Sequence, residues 1–227
     1  MISYNLIRTN RKTLSIKICK DGSLEVRSPI NFPKVEIDKI IEARSDEIAK
    51  KSEIIKKKND LKRNFKIDFN SKILLKGELC EVLPTSSSIA SYDDKVKVFY
   101  IPETATSYDI KEIIISFYKI IAKKHFISRV NYFKEILDVT PSNVKVNSAK
   151  TRWGSCSYKH SLNFSWRLIM ADLKTIDYVI VHELSHIKEL NHSQDFWNIV
   201  ESVIPDYKVY RNNLKDLSEK LSNEDWD

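Results

Sequence analysis

The sequence is poor in the features that define several large classes of protein. Its three cysteines, Cys19, Cys80 and Cys156, are far apart and form no CxxC pair, which argues against a disulfide framework and against a zinc finger built on cysteine. No apolar run is long enough to cross a membrane, and the segment MISYNLIRTNRK lacks the apolar core of a secretory signal. We therefore expect a cytoplasmic protein with no membrane partner.

Glycine is also scarce, with only three in 227 residues: Gly22, Gly77 and Gly154. Glycine costs conformational entropy on folding and is used where the backbone needs its freedom or its small size. Each of the three is therefore expected to occupy a position that requires it.

Positive charge is present in excess, and it is unevenly distributed. The net charge is +7, and residues 1–66 contain 17 of the 38 Lys and Arg residues but only 9 of the 31 Asp and Glu residues. Many of these lysines lie in KKSEIIKKKNDLKR (50–63). Such a surface attracts nucleic acid or acidic partners, but a solvated helix face gives the same pattern, and no aromatic platform accompanies the lysines.

The hydrophobic periodicity predicts a fold of the α+β class. Helices are expected over residues 34–58, 108–137, from 173 onwards, 193–204 and 207–221. Strands are expected within residues 2–28 and 65–101, and as a pair at 143–149 and 161–169 joined by a turn that contains Gly154. This layout predicts a β-rich N-terminal region with a basic helix (1–105) followed by a mostly helical region with a small sheet (106–227).

The segment HELSH (182–186) carries the strongest chemical signal. Two histidines four residues apart lie on one face of a helix, so the imidazoles of His182 and His186 can reach the same metal ion. Glu183 follows the first histidine and is placed to act as a general base without being a ligand. The spacing predicts a zinc site of the HExxH type.

The third ligand depends on where this helix ends. His192 lies six residues after His186, and a continuous helix would place it on another face and about 9 Å further along. Asn191 tolerates the left-handed conformation that closes helices, and Ser193 can cap the next helix. His192 is therefore the preferred third ligand, and three histidines leave a fourth position open, as a catalytic zinc requires.

Two alternatives to this site remain open. Glu201, on the next predicted helix, could replace His192 as the third ligand. Cys156 or His160 could supply a fourth protein ligand, which would make the zinc structural.

The motifs together resemble a known family. KTRWGSCS (150–157), LNFSWRLI (162–169) and IDYVIVHELSHIKELNHSQDFW (176–197) are similar to the YgjP-like zinc metallopeptidases, which are related to the SprT-like and Wss-like metallopeptidases. The resemblance covers nearly the whole chain. A departure is Asp172, where the family usually has Pro.

The resemblance implies a zincin-like core in residues 106–227, with Zn²⁺ on His182, His186 and His192 and with Glu183 as the general base. Three further residues have two interpretations each. Arg152 and Ser155 either contact substrate or support the site, or they belong to a simple turn. Tyr178 either donates a hydrogen bond near the metal or packs in the core.

We therefore expect a zinc-dependent metallopeptidase that hydrolyses peptide bonds in a peptide or protein substrate. One alternative is a nucleic-acid-associated module whose basic N-terminal region docks on DNA or RNA while the zinc core acts on proteins bound there. Another is a non-catalytic zinc-binding fold.

Overall fold

The computed structural model describes residues 2–226. They form two compact units, one of residues 2–65 with 221–225 and the other of residues 66–220 with 226. Small sheets and helices occur in both units, which confirms the α+β class. The division after Phe65 differs from the predicted boundary at 105/106, which lies inside the second unit.

The first unit is a three-stranded sheet with two helices. Its elements are β1 (Asn5–Thr9), β2 (Ser15–Ile18), β3 (Leu24–Pro29), α1 (Lys34–Glu42) and α2 (Ser45–Asn64). The strand order is β1-β3-β2, with β1 parallel and β2 antiparallel to β3. Gly22 adopts a φ of +82° in the β2–β3 connection, as the predicted hairpin requires.

The core of this unit is small. Leu24 and Val26 of β3 pack with Ile37 and Ile41 of α1 and with Ile48 of α2. Beyond Ile48, the 20-residue helix α2 buries no residue.

The single helix predicted over residues 34–58 is wrong. The helix is interrupted at Ala43 and Arg44, and the backbone of Arg44 leaves the helical region with φ −117° and ψ 15°. The break separates the short helix α1 from the basic helix α2.

The second unit begins with a four-stranded sheet. Its strands are β4 (Lys72–Leu75), β5 (Glu78–Thr85), β6 (Ser91–Asp93) and β7 (Val98–Pro102), in the order β4-β5-β7-β6. Gly77 has a φ of +80° in the β4–β5 turn. This turn is anchored to the rest of the unit, because the amides of Lys76 and Gly77 donate to the carbonyls of Ile169 and Met170.

A 30-residue helix, α3 (Ser107–Ile136), follows this sheet. It begins with a capping box in which the Thr106 side chain accepts from the Asp109 amide and the Asp109 carboxylate accepts from the Thr106 amide, which stabilises the first turn. Most of its buried residues recur every three or four positions and form one face. The buried residues are Ile110, Ile114, Ile115, Tyr118, Ala122, Phe126, Val130 and Phe133.

A second small sheet leads into the last helices. It contains β8 (Asn143–Asn147), β9 (Gly154–Cys156) and β10 (Ser161–Ser165) in the order β8-β10-β9. The predicted turn at Gly154 is wrong, because β8 and β10 are parallel and cannot be joined by a turn. Gly154 instead begins β9, which is antiparallel to β10. The predicted strand 161–169 is also too long, since Trp166–Met170 form a 3₁₀ helix.

Three helices complete the unit: α4 (Leu173–Ser185), α5 (Gln194–Val203) and α6 (Tyr207–Leu221). α4 packs on α3, on α5 and on β9. Among residues 2–226, no helix is both long enough and apolar enough to cross a membrane.

Candidate metal centre

Helix α4 carries the predicted site residues and is fixed in the core by its apolar side chains. Ile176, Val179, Ile180 and Leu184 are buried. The helix starts at Asp172, whose carboxylate accepts from the amide and the hydroxyl of Thr175 at 2.9 and 2.6 Å. Asp is a strong N-cap residue, so the departure from the family's usual Pro gives this helix a side-chain cap.

Helix α4 ends before His192, as a ligand role for this residue requires. His186 is the C-cap of α4, and the amides of Ile187 and Lys188 close a turn onto the carbonyls of Leu184 and Ser185 at 3.0 Å. The closure differs from the predicted one, because Asn191 is not among the described residues with positive φ.

The restart at α5 follows the prediction. The Ser193 side chain accepts from the Phe196 amide at 3.3 Å and caps α5. His192 therefore lies in the connection between the two helices, where it can turn back toward α4.

Three imidazoles meet between α4 and α5. One nitrogen each of His182, His186 and His192 lies within 4.8 Å of the others, and Nε2 of His192 is 3.1 Å from Nε2 of His182. Two nitrogen ligands of a tetrahedral zinc are separated by about 3.3 Å. Phe196 lies against the group, with its ring centroid 4.5 Å from that of His186. The indole of Trp197 lies 5.9 Å from His182 and 5.8 Å from His192.

Hydrogen bonding orients one of these rings. Nδ1 of His186 lies 3.1 Å from the carbonyl oxygen of Glu189. Since a carbonyl only accepts, Nδ1 carries the proton and Nε2 presents its lone pair. Such a bond to the second ring nitrogen is the usual support of a metal-bound histidine. Nδ1 of His182 is buried and has no hydrogen-bond partner among the described residues.

The surroundings favour neutral imidazoles, which metal binding requires. Burial, reinforced by His186 and His192, lowers the pKa of His182 to about 3. Burial also lowers the pKa of His186, although the Glu189 carbonyl opposes this shift. Three imidazole nitrogens that converge on one point fit a divalent cation of the zinc type.

Glu183 lies beside this group but is not part of it. Its side chain is buried, with 6% of the residue exposed. Burial raises the pKa of its carboxyl to about 8, while the Arg152 charge and the nearby Cys156 amide act in the opposite direction. A buried carboxyl whose pKa is raised and which lies beside converging histidines is typical of a residue that transfers protons.

The three residues with open roles differ in position. Arg152 is exposed and close enough for its charge to act on Glu183. Glu183 lies against Gly154 of β9. Ser155 is the next residue of this strand, so its side chain is on the opposite face from Glu183. Tyr178 is buried, with its ring 5.9 Å from His182 and stacked on Tyr207.

The alternative ligands lie outside the histidine group. Among residues 2–226, the one group of three or more side chains that could hold a metal is His182, His186 and His192. Glu201, Cys156 and His160 do not belong to it.

Comparison with known proteins agrees with these motifs. A model of the family described as YgjP-like, metallopeptidase domain, matches residues 12–217. The chain belongs to the YgjP-like metallopeptidase family. As a family member it is a peptidase, a hydrolase that acts on peptide or protein substrates, and its family implies a divalent metal.

Solved structures and curated proteins add little detail. The metallopeptidase zymogen of Pyrococcus abyssi abylysin is 22% identical, with 44% of this chain and 98% of that chain covered and a TM-score of 0.38. The metallopeptidase zymogen of Methanocaldococcus jannaschii jannalysin is 25% identical, with 42% and 92% covered and a TM-score of 0.34. No curated protein matches the chain.

Sequence reasoning missed two contributors to the site, both of them backbone groups. The carbonyl of Glu189 orients His186, and the amide of Cys156 lowers the pKa of the Glu183 carboxyl. Side-chain identity carries no signal for such groups. The scarcity of glycine was the one available hint, because Gly154 is the first residue of β9 and lies two positions before Cys156.

Proposed function

We propose that this metallopeptidase is zinc-dependent, that His182, His186 and His192 hold the zinc, and that Glu183 is the general base. The observation that carries the proposal is the convergence of three imidazole nitrogens within 4.8 Å, beside the buried carboxyl of Glu183 on α4. Family membership supplies the reaction class, hydrolysis of a peptide bond.

The chemistry divides between the metal and the chain. Bound zinc lowers the pKa of a water and polarises a carbonyl. Glu183 takes a proton from the attacking water and later delivers it to the leaving amine. His182 and His186 remain neutral ligands, because their burial disfavours the charged imidazolium.

The environment of Glu183 supports this role. Without a cation, burial keeps its carboxyl protonated near neutral pH. A divalent cation close by favours the carboxylate and lowers its pKa, which brings the group into the range where it can both accept and donate a proton.

A catalytic zinc is favoured over a structural one by the number of ligands. Structural zinc sites are closed by four protein ligands, whereas catalytic sites use three. The described residues offer three histidines and no fourth ligand atom within the group.

The first experiment measures metal content by mass spectrometry in the wild type and in His192→Ala. We expect about one zinc per chain in the wild type and a large loss in a variant that remains folded. His160→Asn is the matched control, because His160 is exposed and Asn tolerates its φ of +57°. Full zinc occupancy in His192→Ala would remove His192 from the ligand set.

A cleavage assay then tests the base. With zinc still bound, Glu183→Gln is expected to lower kcat by about 10²- to 10⁴-fold, the usual contribution of acid–base catalysis. An unchanged kcat would contradict the role of Glu183 and would favour a non-catalytic zinc fold.

The nucleic-acid alternative rests on helix α2. Six of its seven basic residues are exposed: Lys50, Lys51, Lys56, Lys57, Lys62 and Arg63. The comparisons give no support to a nucleic-acid partner. This alternative requires DNA binding that weakens steeply with salt and is lost when these residues become Gln. Absent or salt-insensitive binding would exclude it.

A further inference from the structure

Strand β9 is the edge of its sheet, and its pairing with β10 determines where its backbone groups point. The amide of Ser157 donates to Ser161, and the amide of Ser165 donates to Trp153. Hydrogen-bonded pairs alternate along an antiparallel ladder, so the next such pair is Ser155 with Asn163. The amides of Gly154 and Cys156 therefore point away from β10, toward the edge of the sheet that no other strand pairs with.

Helix α4 packs against β9, and the Glu183 side chain lies against Gly154. The backbone amide of Cys156 lies close enough to the Glu183 carboxyl to lower its pKa. A backbone amide held in a strand is a rigid donor, because the ladder on its other side fixes the orientation of the strand.

Gly154 provides the space for this carboxylate. A Cβ added at Gly154 would lie 2.6 Å from Cγ, 2.6 Å from Oε1 and 2.8 Å from Cδ of Glu183. All three distances are shorter than real contacts of this kind. The φ of Gly154 is not in the left-handed region, so glycine is needed here for its size and not for its backbone conformation.

We propose that β9 positions Glu183 for catalysis, because Gly154 leaves room for its carboxylate beside the strand. The inference rests on the proposed role of Glu183 as general base. Gly154 is a positioning residue, since it acts through Glu183 and need not touch the substrate.

Gly154→Ala tests this directly, because the three close contacts are all with the flexible end of one side chain. The fold can accept the methyl group by moving the Glu183 carboxylate, while the backbone stays in place. Ala also restricts the unfolded chain, which offsets part of any strain. We expect a melting temperature within about 3 °C of the wild type and unchanged zinc content. KM should change little, while kcat falls on the order of 10- to 100-fold, as for a misplaced catalytic group.

Gly22→Ala is the matched control. Its φ of +82° and the close approach of Lys56 make Ala unfavourable there, and it lies outside the catalytic machinery. It should lower the melting temperature and leave the kcat of the folded enzyme unchanged. Gly154→Ala should lower kcat and keep the melting temperature, whereas Gly22→Ala should lower the melting temperature and keep kcat. The two variants together would distinguish a positioning effect from a loss of stability.

A double variant supplies the decisive comparison. If Gly154 acts only through Glu183, adding Gly154→Ala to Glu183→Gln should deepen the loss of kcat by less than about twofold. If the two substitutions instead lower kcat by the product of their separate factors, the inference is overturned. So would wild-type kcat in Gly154→Ala, or a Gly154→Ala protein that unfolds or loses zinc.

The proposed function fails in a different way from this inference. Wild-type activity in Glu183→Gln would overturn both. An inactive Glu183→Gln protein together with a fully active Gly154→Ala protein would leave the general base in place and remove only the role of β9.

Discussion

Glu183 differs from the other buried polar residues of the described chain in how it is supported. The others are serines, a threonine and an arginine, and most of them bond to backbone carbonyls: Ser185 donates to the Val181 carbonyl and Ser165 to the Ala149 carbonyl. Glu183 is a carboxyl buried beside His182 and His186, whose pKa values are lowered by burial. Burying an ionisable group costs stability, and such sites are retained for function.

This cost gives a prediction for the metal-free protein. The folded pKa of Glu183 is about 8 and the ordinary value is 4.5, so the folded state resists its ionisation. The resulting destabilisation is absent below about pH 4.5, grows as the pH rises toward 8 and is then complete. We expect Glu183→Gln to be more stable than the wild type at pH 8 by at least about 1 kcal/mol, with a smaller difference at pH 5.

Denaturant titration in the presence of a chelator measures both values. An equal difference at the two pH values would mean that the carboxyl is solvated and ordinary in the folded protein. The metal-bound protein should show the effect less, because a nearby cation favours the carboxylate.

The convergence of three histidines was the most predictable feature of the proposed site. The spacing of His182 and His186 is a local property of a helix, and Ser193 is a local capping signal, so both could be identified along the sequence. The way in which the chain closes before His192 was not predicted, since the turn at His186 depends on hydrogen bonds that many residues can make. The roles assigned to the ligands and to Glu183 remain predictions.

Among the elements, helix α4 depends most on its first residue. Burial would raise the pKa of Asp172, but hydrogen bonds from Thr175 outweigh it and hold the pKa below 3.8. Asn213 adds a longer contact, at 3.4 Å to the same carboxylate. The cap thus stabilises the N-terminus of the helix that carries His182 and Glu183.

Removing the cap should lower stability with little effect on chemistry. We expect Asp172→Ala to reduce the free energy of unfolding by about 1 kcal/mol at pH 7, and Asp172→Asn, which keeps a capping oxygen, to cost less. A depressed folded pKa stabilises above the unfolded value, and the benefit is lost as the pH falls through the folded pKa. The difference between wild type and Asp172→Ala should therefore shrink in urea titrations at pH 3, and a constant difference would contradict the charged cap.

Local signals predicted some elements well and others not at all. Gly22 between two alternating segments gave the β2–β3 hairpin, and the apolar face of α3 gave a helix correct to within a residue or two. The break at Ala43 and Arg44 has neither Gly nor Pro to mark it. The parallel pairing of β8 with β10 is a contact between distant segments, and nothing within either strand encodes its direction.

At the scale of the whole molecule, the two units differ in the size of their cores. The first unit has five buried apolar residues in its core cluster, whereas the second contains the apolar faces of α3 and α4 and the 3₁₀ helix. A domain of about 60 residues buries a smaller share of its surface than a larger one. The first unit is therefore expected to be the less stable of the two.

Native-state hydrogen exchange can test this expectation. Amides of β2 and β3 should open with a free energy lower than those of β10 and α4, by about 2 kcal/mol or more. Added zinc should raise protection in α4 more than in β3. A single opening free energy across both units would mean that the chain unfolds as one cooperative body.

The position of Trp197 also makes the metal centre observable by light. Its indole lies within 6 Å of the rings of His182 and His192, a distance at which a bound paramagnetic ion such as Co²⁺ or Cu²⁺ quenches indole emission efficiently. Occupancy of the site could then be followed by intrinsic fluorescence in real time, without a substrate and without a label. Replacing Trp197 with Phe would identify its share of the signal among the four tryptophans of the chain.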